Sequence, residues 1–231
     1  MGNRLLAALA PDVLAQLMPK LTSITLTIRQ VLYHAEGPID AVYFPLAGMV
    51  SMVAELEDGT QAEVGIIGRE GVTGTALLAG VETSFVEALV QIPGPALRME
   101  ARAFQREIEA NAALRTLLFR YHEVLQSQIS QTAACNGRHG LEQRLARWLL
   151  MAQDRVGEDL LPLTQDFIAM MLGVHRPSIT VTAGILQRAG LIRYSAGVIT
   201  VLDRASLEAS SCECYAAVRR RAATLLGSSS P

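Results

Sequence analysis

LGVHRPSITVTAGILQRAGLI, residues 172–192, decides the fold. Gly173-Val174-His175 is a tight turn with glycine at its left-handed position. Upstream, TQDFIAMMLG (164–173) makes a short helix with Thr164 as N-cap and Phe167, Ile168, Met171 and Leu172 turned inward. Small Ala169 stands where a second helix crosses. That second helix buries Ile179, Ala183 and Leu186 and ends at Gly190. LIRY, the turn SAG and VITVL then form a hairpin. Helix, glycine turn, helix and hairpin make up a winged helix-turn-helix. Pro177 fits the first turn of the second helix, where a backbone N–H has no partner to lose. Proline disfavours helical geometry in the residue before it, so Arg176 is predicted as N-cap and Pro177 as the first helical residue.

Outward from this motif, residues 101–136 hold no proline or glycine and read as helix. Leu114, Leu118, Tyr121, Leu125, Gln128, Thr132 and Cys135 recur at spacings of four and three. This is an a/d seam, which predicts pairing along the helix with a second copy. Packing of the same stripe on the chain's own β domain stays open. Asn136-Gly137 is predicted to end the helix. A second helix follows, with Leu141, Leu145, Trp148, Leu149 and Ala152 on one face and Glu142, Arg144 and Arg147 largely off it.

Residues 21–100 read as β. SITLTI, AVYFPL, MVSMVAEL, AEVGII and ALVQI are short runs separated by Gly37-Pro38, Gly48, Asp58-Gly59, Gly68, Gly71 and Gly94-Pro95, and EDGT marks a hairpin. The N-terminal stretch, interrupted by Pro11, Asp12 and Pro19, reads as one or two amphipathic helices and not as a signal peptide. Of the 231 residues, half are apolar and 18% charged, enough for a substantial core. No apolar run is long enough for a membrane span. Residues 1–137 carry a charge balance of −5 and residues 138–231 one of +3, which suits a phosphate-meeting module on an acidic body. Three cysteines, Cys135, Cys212 and Cys214, do not make a disulfide framework and fit a reducing cytoplasm. Cys212 and Cys214 have no histidine near them in sequence, so no metal site is expected.

A β-roll, a long pairing helix and a C-terminal winged helix, in this order, resemble the Crp/Fnr family of bacterial transcription regulators. The resemblance lies in VLYHAEGPIDAVYFPLAGMVSMV, DGTQAEVGIIGREGVTG, VQIPG and LTQDFIAMMLGVHRPSITVTAGILQRAGLI. It implies an α+β chain: an effector-sensing, jelly-roll-like β-roll with N-terminal helices (1–110), a dimerisation helix (111–137) and a winged DNA-binding domain (138–231). It further implies a homodimer on a palindromic site in double-stranded DNA, with RNA polymerase as a further partner. The matching effector cassette has no Arg or Lys between Glu70 and Leu97. A buried cyclic phosphate needs a charge-assisted partner, so cyclic AMP and cyclic GMP are disfavoured and no cofactor is expected. The candidate effector residues are Gly71, Gly74, Thr75, Thr83, Ser84, Gln128 and Thr132, with free backbone amides at Gly71–Gly74 as a weak anion site. The candidate DNA contacts are Thr164, Gln165, His175, Arg176, Ser178, Thr180, Thr182, Arg193, Tyr194 and Ser195. Arg176 matches the family's guanine-reading arginine, while Pro177 and Val181 replace an acid and a second arginine, so a different target sequence is expected. No nucleophile elbow, phosphate-loop lysine or HExxH pair points to an enzyme. The rival reading is a small-molecule-binding or protein-interaction module that has lost DNA binding.

Overall fold

The structure, a computed structural model, describes residues 2–227. Helices α1 (Arg4–Ala7) and α2 (Pro11–Leu17) lead into seven strands: β1 (Thr22–Leu26), β2 (Val31–Tyr33), β3 (Ala41–Pro45), β4 (Met49–Glu55), β5 (Gln61–Ile67), β6 (Glu87–Ile92) and β7 (Gly94–Glu100). They form two antiparallel sheets, ordered β1-β7-β3 and β2-β6-β4-β5. The EDGT turn forms as expected. Asp58 Oδ1 accepts the Thr60 N–H and hydroxyl at 2.9 and 2.6 Å, and Gly59 takes φ +78°. Gly94-Pro95, read from sequence as a turn, instead begins β7. A side chain at Gly94 would meet the Ala47 carbonyl at 2.6 Å, so the two sheet ends approach as closely as bare backbone permits.

The expected single helix from Ala101 is broken. Helix α3 (Ala101–Ala110) stops at Asn111, whose Oδ1 accepts the Leu114 N–H at 2.9 Å and starts α4 (Ala112–Arg138). Asparagine is a strong N-cap, and capping wins here over helix continuity. Gly137 lies inside α4, and His139 is its C-cap.

The seam on α4 turns inward. Leu114, Leu118, Tyr121, Leu125, Gln128 and Cys135 are buried by the chain itself, and Thr132 is half-buried. These residues are therefore not free to pair with a second copy, contrary to the expectation from their spacing. Tyr121 lies over Gly71, where an added Cβ would fall 2.0 Å from the tyrosine oxygen. Gln128 accepts the Ile66 N–H at 2.8 Å and donates to the Ile66 carbonyl at 3.1 Å. Strand β5 is a sheet edge, and this amide satisfies backbone groups that would otherwise be buried without partners. Thr132 is tied to Gln128 O at 2.8 Å and receives Arg147 Nη2 at 3.1 Å.

Beyond α4 come α5 (Leu141–Val156), β8 (Leu160–Leu161), α6 (Gln165–Leu172), α7 (Arg176–Arg188), β9 (Ile192–Ser195), β10 (Val198–Val201), α8 (Arg204–Ser210) and α9 (Cys214–Leu226). The small sheet is ordered β8-β10-β9. Two main cores result. The first fills the roll and takes in α1 to α4, with Phe44 edge-on to Phe104 at 6.2 Å. The second joins Met49, Val53, Ile66 and Leu89 of the roll to Leu145, Trp148 and Leu149 of α5 and the winged domain behind them. Arg147, expected off the buried face of α5, is only 5% exposed because it serves Thr132.

Buried polar groups stitch the second core. Trp148 Nε1 donates to Glu63 Oε1 at 2.7 Å, while Ser51 and Gln91 donate to Oε2 at 2.5 and 3.1 Å. Arg155 Nε stands 2.9 Å from Glu70 Oε1, an ion pair without good hydrogen-bond alignment. Burial pushes the Glu63 carboxyl up to about 7, against hydrogen bonds from Ser51 and Trp148 that favour the anion. The folded chain thus holds this proton more tightly than the unfolded chain does. The resulting stability is complete below the ordinary value of 4.5 and is lost as pH rises through about 7. Thermal melts between about pH 5 and pH 8 should show this loss, on the order of 3 kcal/mol. Glu63→Gln should flatten the slope and raise the melting temperature at the alkaline end.

Candidate nucleic-acid interface and effector cavity

Helices α6 and α7 are set by their ends. Thr164 Oγ1 accepts the Phe167 N–H at 3.3 Å, and Gly173 closes α6 at φ +61°. His175 is extended (φ −74°, ψ 142°) and caps α7, and its carbonyl accepts the Ser178 N–H at 2.9 Å. The helix begins at Arg176, one residue earlier than expected, with Pro177 second. The steric preference imposed by proline on its predecessor is overcome here, and the turn's extended residue is His175. Proline's missing N–H still costs nothing at this position.

The outer face of α7 presents His175, Arg176, Ser178 and Thr180, together with Val181, Ile185 and Arg188. Thr182 does not belong with them. It is 7% exposed, and its hydroxyl donates to the Ser178 carbonyl at 2.8 Å. Positions 179, 182, 183 and 186 form the inward stripe of one helix, so a groove role for Thr182 is excluded by the helical period. The Thr180 hydroxyl donates to Gln165 Oε1 at 2.7 Å and pins the two helices together. Arg176 Nε lies 3.4 Å from Asp166 Oδ1, with both side chains more than three-fifths exposed. Asp166 is a neighbour that sequence reasoning missed, although its i+10 distance from Arg176 spans just one helix-turn-helix corner. Such an exposed pair is weak and leaves the guanidinium free to change partner.

In the wing, Ala196 (φ +49°) and Gly197 (φ +79°) form a two-residue turn with both residues left-handed. Arg193 and Ser195 share the exposed face of β9, while Tyr194 points the other way and packs on the second core. The three candidates of the wing are thus two outward side chains and one packing one.

In the roll, the effector candidates divide. A cavity of about 360 Å³ lies between the β2-β6-β4-β5 sheet, the 74–86 segment and α4, and it is lined by Gly74, Thr75 and Ser84. Tyr33, Met52, Val64, Phe85, His122 and Ile129 complete much of its wall. Gly71, Thr83, Gln128 and Thr132 do not line it. Three of the four amides expected to be free are occupied: Gly71 N–H by Gly68 O, Thr73 N–H by Tyr43 O and Gly74 N–H by the Tyr33 oxygen. Glycines at 71 and 74 serve close packing and a left-handed turn, with φ +73° at Gly74.

The cysteine expectation also changes. Cys212 and Cys214 have a histidine beside them in space, because α4 brings His139 and Cys135 to the α8–α9 connection. Cys135 is wholly buried within the chain, so it does not sit at a twofold axis.

Residues 143–210 match the family described as the Crp-like helix-turn-helix domain. The transcriptional regulator SdrP of Thermus thermophilus is 27% identical over 187 residues, which are 74% of this chain and 84% of that protein. FixK2 of Bradyrhizobium japonicum superposes with a TM-score of 0.71 at 17% identity, over 83% of this chain and 98% of that one. The c-di-GMP-responsive global regulator CLP of Xanthomonas campestris superposes with a TM-score of 0.68 at 14% identity, over 84% and 100%. On duplex DNA, Arg176→Ala should cost about 1–3 kcal/mol of discrimination at one base pair. Thr182→Val should leave base preference unchanged, as selection from random duplexes would show.

Proposed function

We infer that this chain, a DNA-binding transcription regulator with a Crp-like helix-turn-helix, works as a homodimer placing two copies of α7 in the major groove of a palindromic site. The observation that carries this reading is the outer face of α7. Arg176, Ser178 and Thr180 stay exposed at its start, while Ile179, Ala183 and Leu186 on the opposite face are buried in the second core. With one arginine at the tip and Val181 beside it, readout combines a guanine contact with softer contacts, including thymine methyls. Arg193 and Ser195 of the wing, and the N-terminus of α6 at Thr164 and Gln165, meet phosphates.

The partner copy is assigned to the outer face of α4. Thr116, Phe119, Glu123, Gln126 and Ser130 follow the same four-three spacing as the buried seam, on the opposite side of the helix, and Phe119 is 48% exposed. Glu123 meets Arg221 of its own α9 at 2.9 Å at the edge of this face. Gln126 and its neighbours His122 and Ile129 also line the roll cavity, so a ligand there would press on the pairing helix. The cavity wall is mainly apolar and includes neither Arg nor Lys. Polar side chains of the wall include Thr75, Ser84, Gln126 and His122, whose Nδ1 is buried without a hydrogen-bond partner. This chemistry favours a small, weakly polar effector over a cyclic nucleotide. A bacterial cytoplasm is the setting, and RNA polymerase the partner that converts site occupancy into transcription.

Equilibrium binding to duplex DNA as salt is raised tests the reading. Affinity should fall steeply, and Arg193→Ala should reduce the log–log slope by about 1. Phe119→Glu should yield folded monomers by sedimentation and weaken binding to a paired site by at least about 10-fold, since the second half-site is no longer tethered. No binding at low salt would favour a module that has lost DNA binding.

A further inference from the structure

All three cysteines of the chain and one of its four histidines meet at a single point. Cys135 and His139 stand four residues apart at the end of α4, and so share one face. Cys212 comes from the connection between α8 and α9, and Cys214 is the first residue of α9. The three sulfurs and a ring nitrogen all lie within 4.8 Å of one another. Cys135 Sγ is 3.5 Å from Cys212 Sγ, and Cys214 Sγ is 3.5 Å from His139 Nδ1. In a tetrahedron with bonds of ~2.0–2.3 Å the ligand atoms stand roughly 3.5–3.8 Å apart, so two of the six spacings already match its edges and the others need close by no more than about 1.3 Å. We propose that Cys135, His139, Cys212 and Cys214 bind one zinc ion.

The surroundings are those a zinc site requires. The outer nitrogen of the histidine, Nε2, faces Glu213 Oε1 at 3.3 Å. A carboxylate there holds the ring and leaves Nδ1 for the metal. Gln131 Nε2 points at Cys214 Sγ at 3.0 Å, as a donor to a thiolate does. Three thiolates and a neutral imidazole give the zinc complex a net charge of −1. The Arg147 guanidinium, near Cys135 and 5% exposed, supplies the compensating charge, and its Nε has no hydrogen-bond partner of its own. The cysteines are buried to 3% exposure or less, and four protein ligands leave no open position. The ion is therefore structural and not catalytic.

Its place in the fold gives it a consequence. His139 is the C-cap of α4, and the next residue, Gly140, is the N-cap of α5. The same ion would clamp the start of α9 to the end of α4. Zinc thus fixes the corner through which the long helix enters the winged domain. Because the four ligands come from two segments 73 residues apart (139 to 212), binding energy is folding energy for the C-terminal region.

The test uses the full chain purified in reductant without chelator. Native mass spectrometry and elemental analysis should find about one zinc per chain. A mercurial that titrates the three thiols should release that zinc in step. Protein stripped and reloaded anaerobically with cobalt should show thiolate-to-cobalt charge transfer and tetrahedral visible bands, both erased by zinc. His139→Ala should lose the ion, His139→Cys should keep it, and Glu213→Gln should bind it about 10-fold more weakly. If a variant does not fold, the mercurial and cobalt measurements on the unaltered chain still decide. Metal-free protein that refuses cobalt, a Cys135–Cys212 disulfide persisting in reductant, or a chromophore containing iron and sulfide would each overturn the proposal.

Discussion

The edge of strand β5 must be closed, and Gln128 of α4 closes it. Ile66 offers a buried N–H and carbonyl that no further strand pairs, and one amide side chain answers both. An unmade bond at such a site costs on the order of 1–3 kcal/mol per group, so the helix register is held tightly. With Gln128 placed, Tyr121 falls over Gly71 and Cys135 reaches the α8–α9 connection. Thr132 then draws Arg147 of α5 inward. The long helix is thus a wall of the first core and touches the C-terminal region through Thr132–Arg147 and Cys135–Cys212.

The second junction is electrostatic. Glu63 takes three hydrogen bonds inside the core that joins roll and winged domain, and Arg155 reaches Glu70 nearby. A buried ion pair such as Arg155–Glu70 is a poor source of net stability but a strong constraint on alternative packing, because a shifted interface would strand it. This gives the docked arrangement a specificity that apolar contact between Ile66, Leu149 and their neighbours does not supply by itself.

Much of the fold is legible in the chain as written. The winged motif follows from Thr164, Gly173, Gly190 and Gly197, whose capping and turn roles depend on neighbours only a few residues away. The strands and the EDGT hairpin follow for the same reason, and the break at Asn111 was there to be read as an N-cap. Thr182 lies inward, as its spacing from Ile179 and Leu186 already implies, and is not a groove residue. Asp166 as the neighbour of Arg176, and His139 as the neighbour of Cys214, join residues brought together by a corner or by the whole topology. No local pattern marks such pairs.

By itself the sequence determined that α4 carries an apolar stripe, that a helix-turn-helix with a hairpin follows, and that no Arg or Lys lies between Glu70 and Leu97. Periodicity shows that a stripe must be buried, but it does not say what buries it. The tertiary structure decided that the chain itself covers the Leu114–Cys135 seam, by the roll over most of its length and by the residues around Cys212 at its end, and leaves Phe119 facing out. It also decided that three distant cysteines converge on a histidine. Both outcomes depend on how the roll, α4 and α9 pack as bodies, and sequence spacing carries no information about distances across that packing.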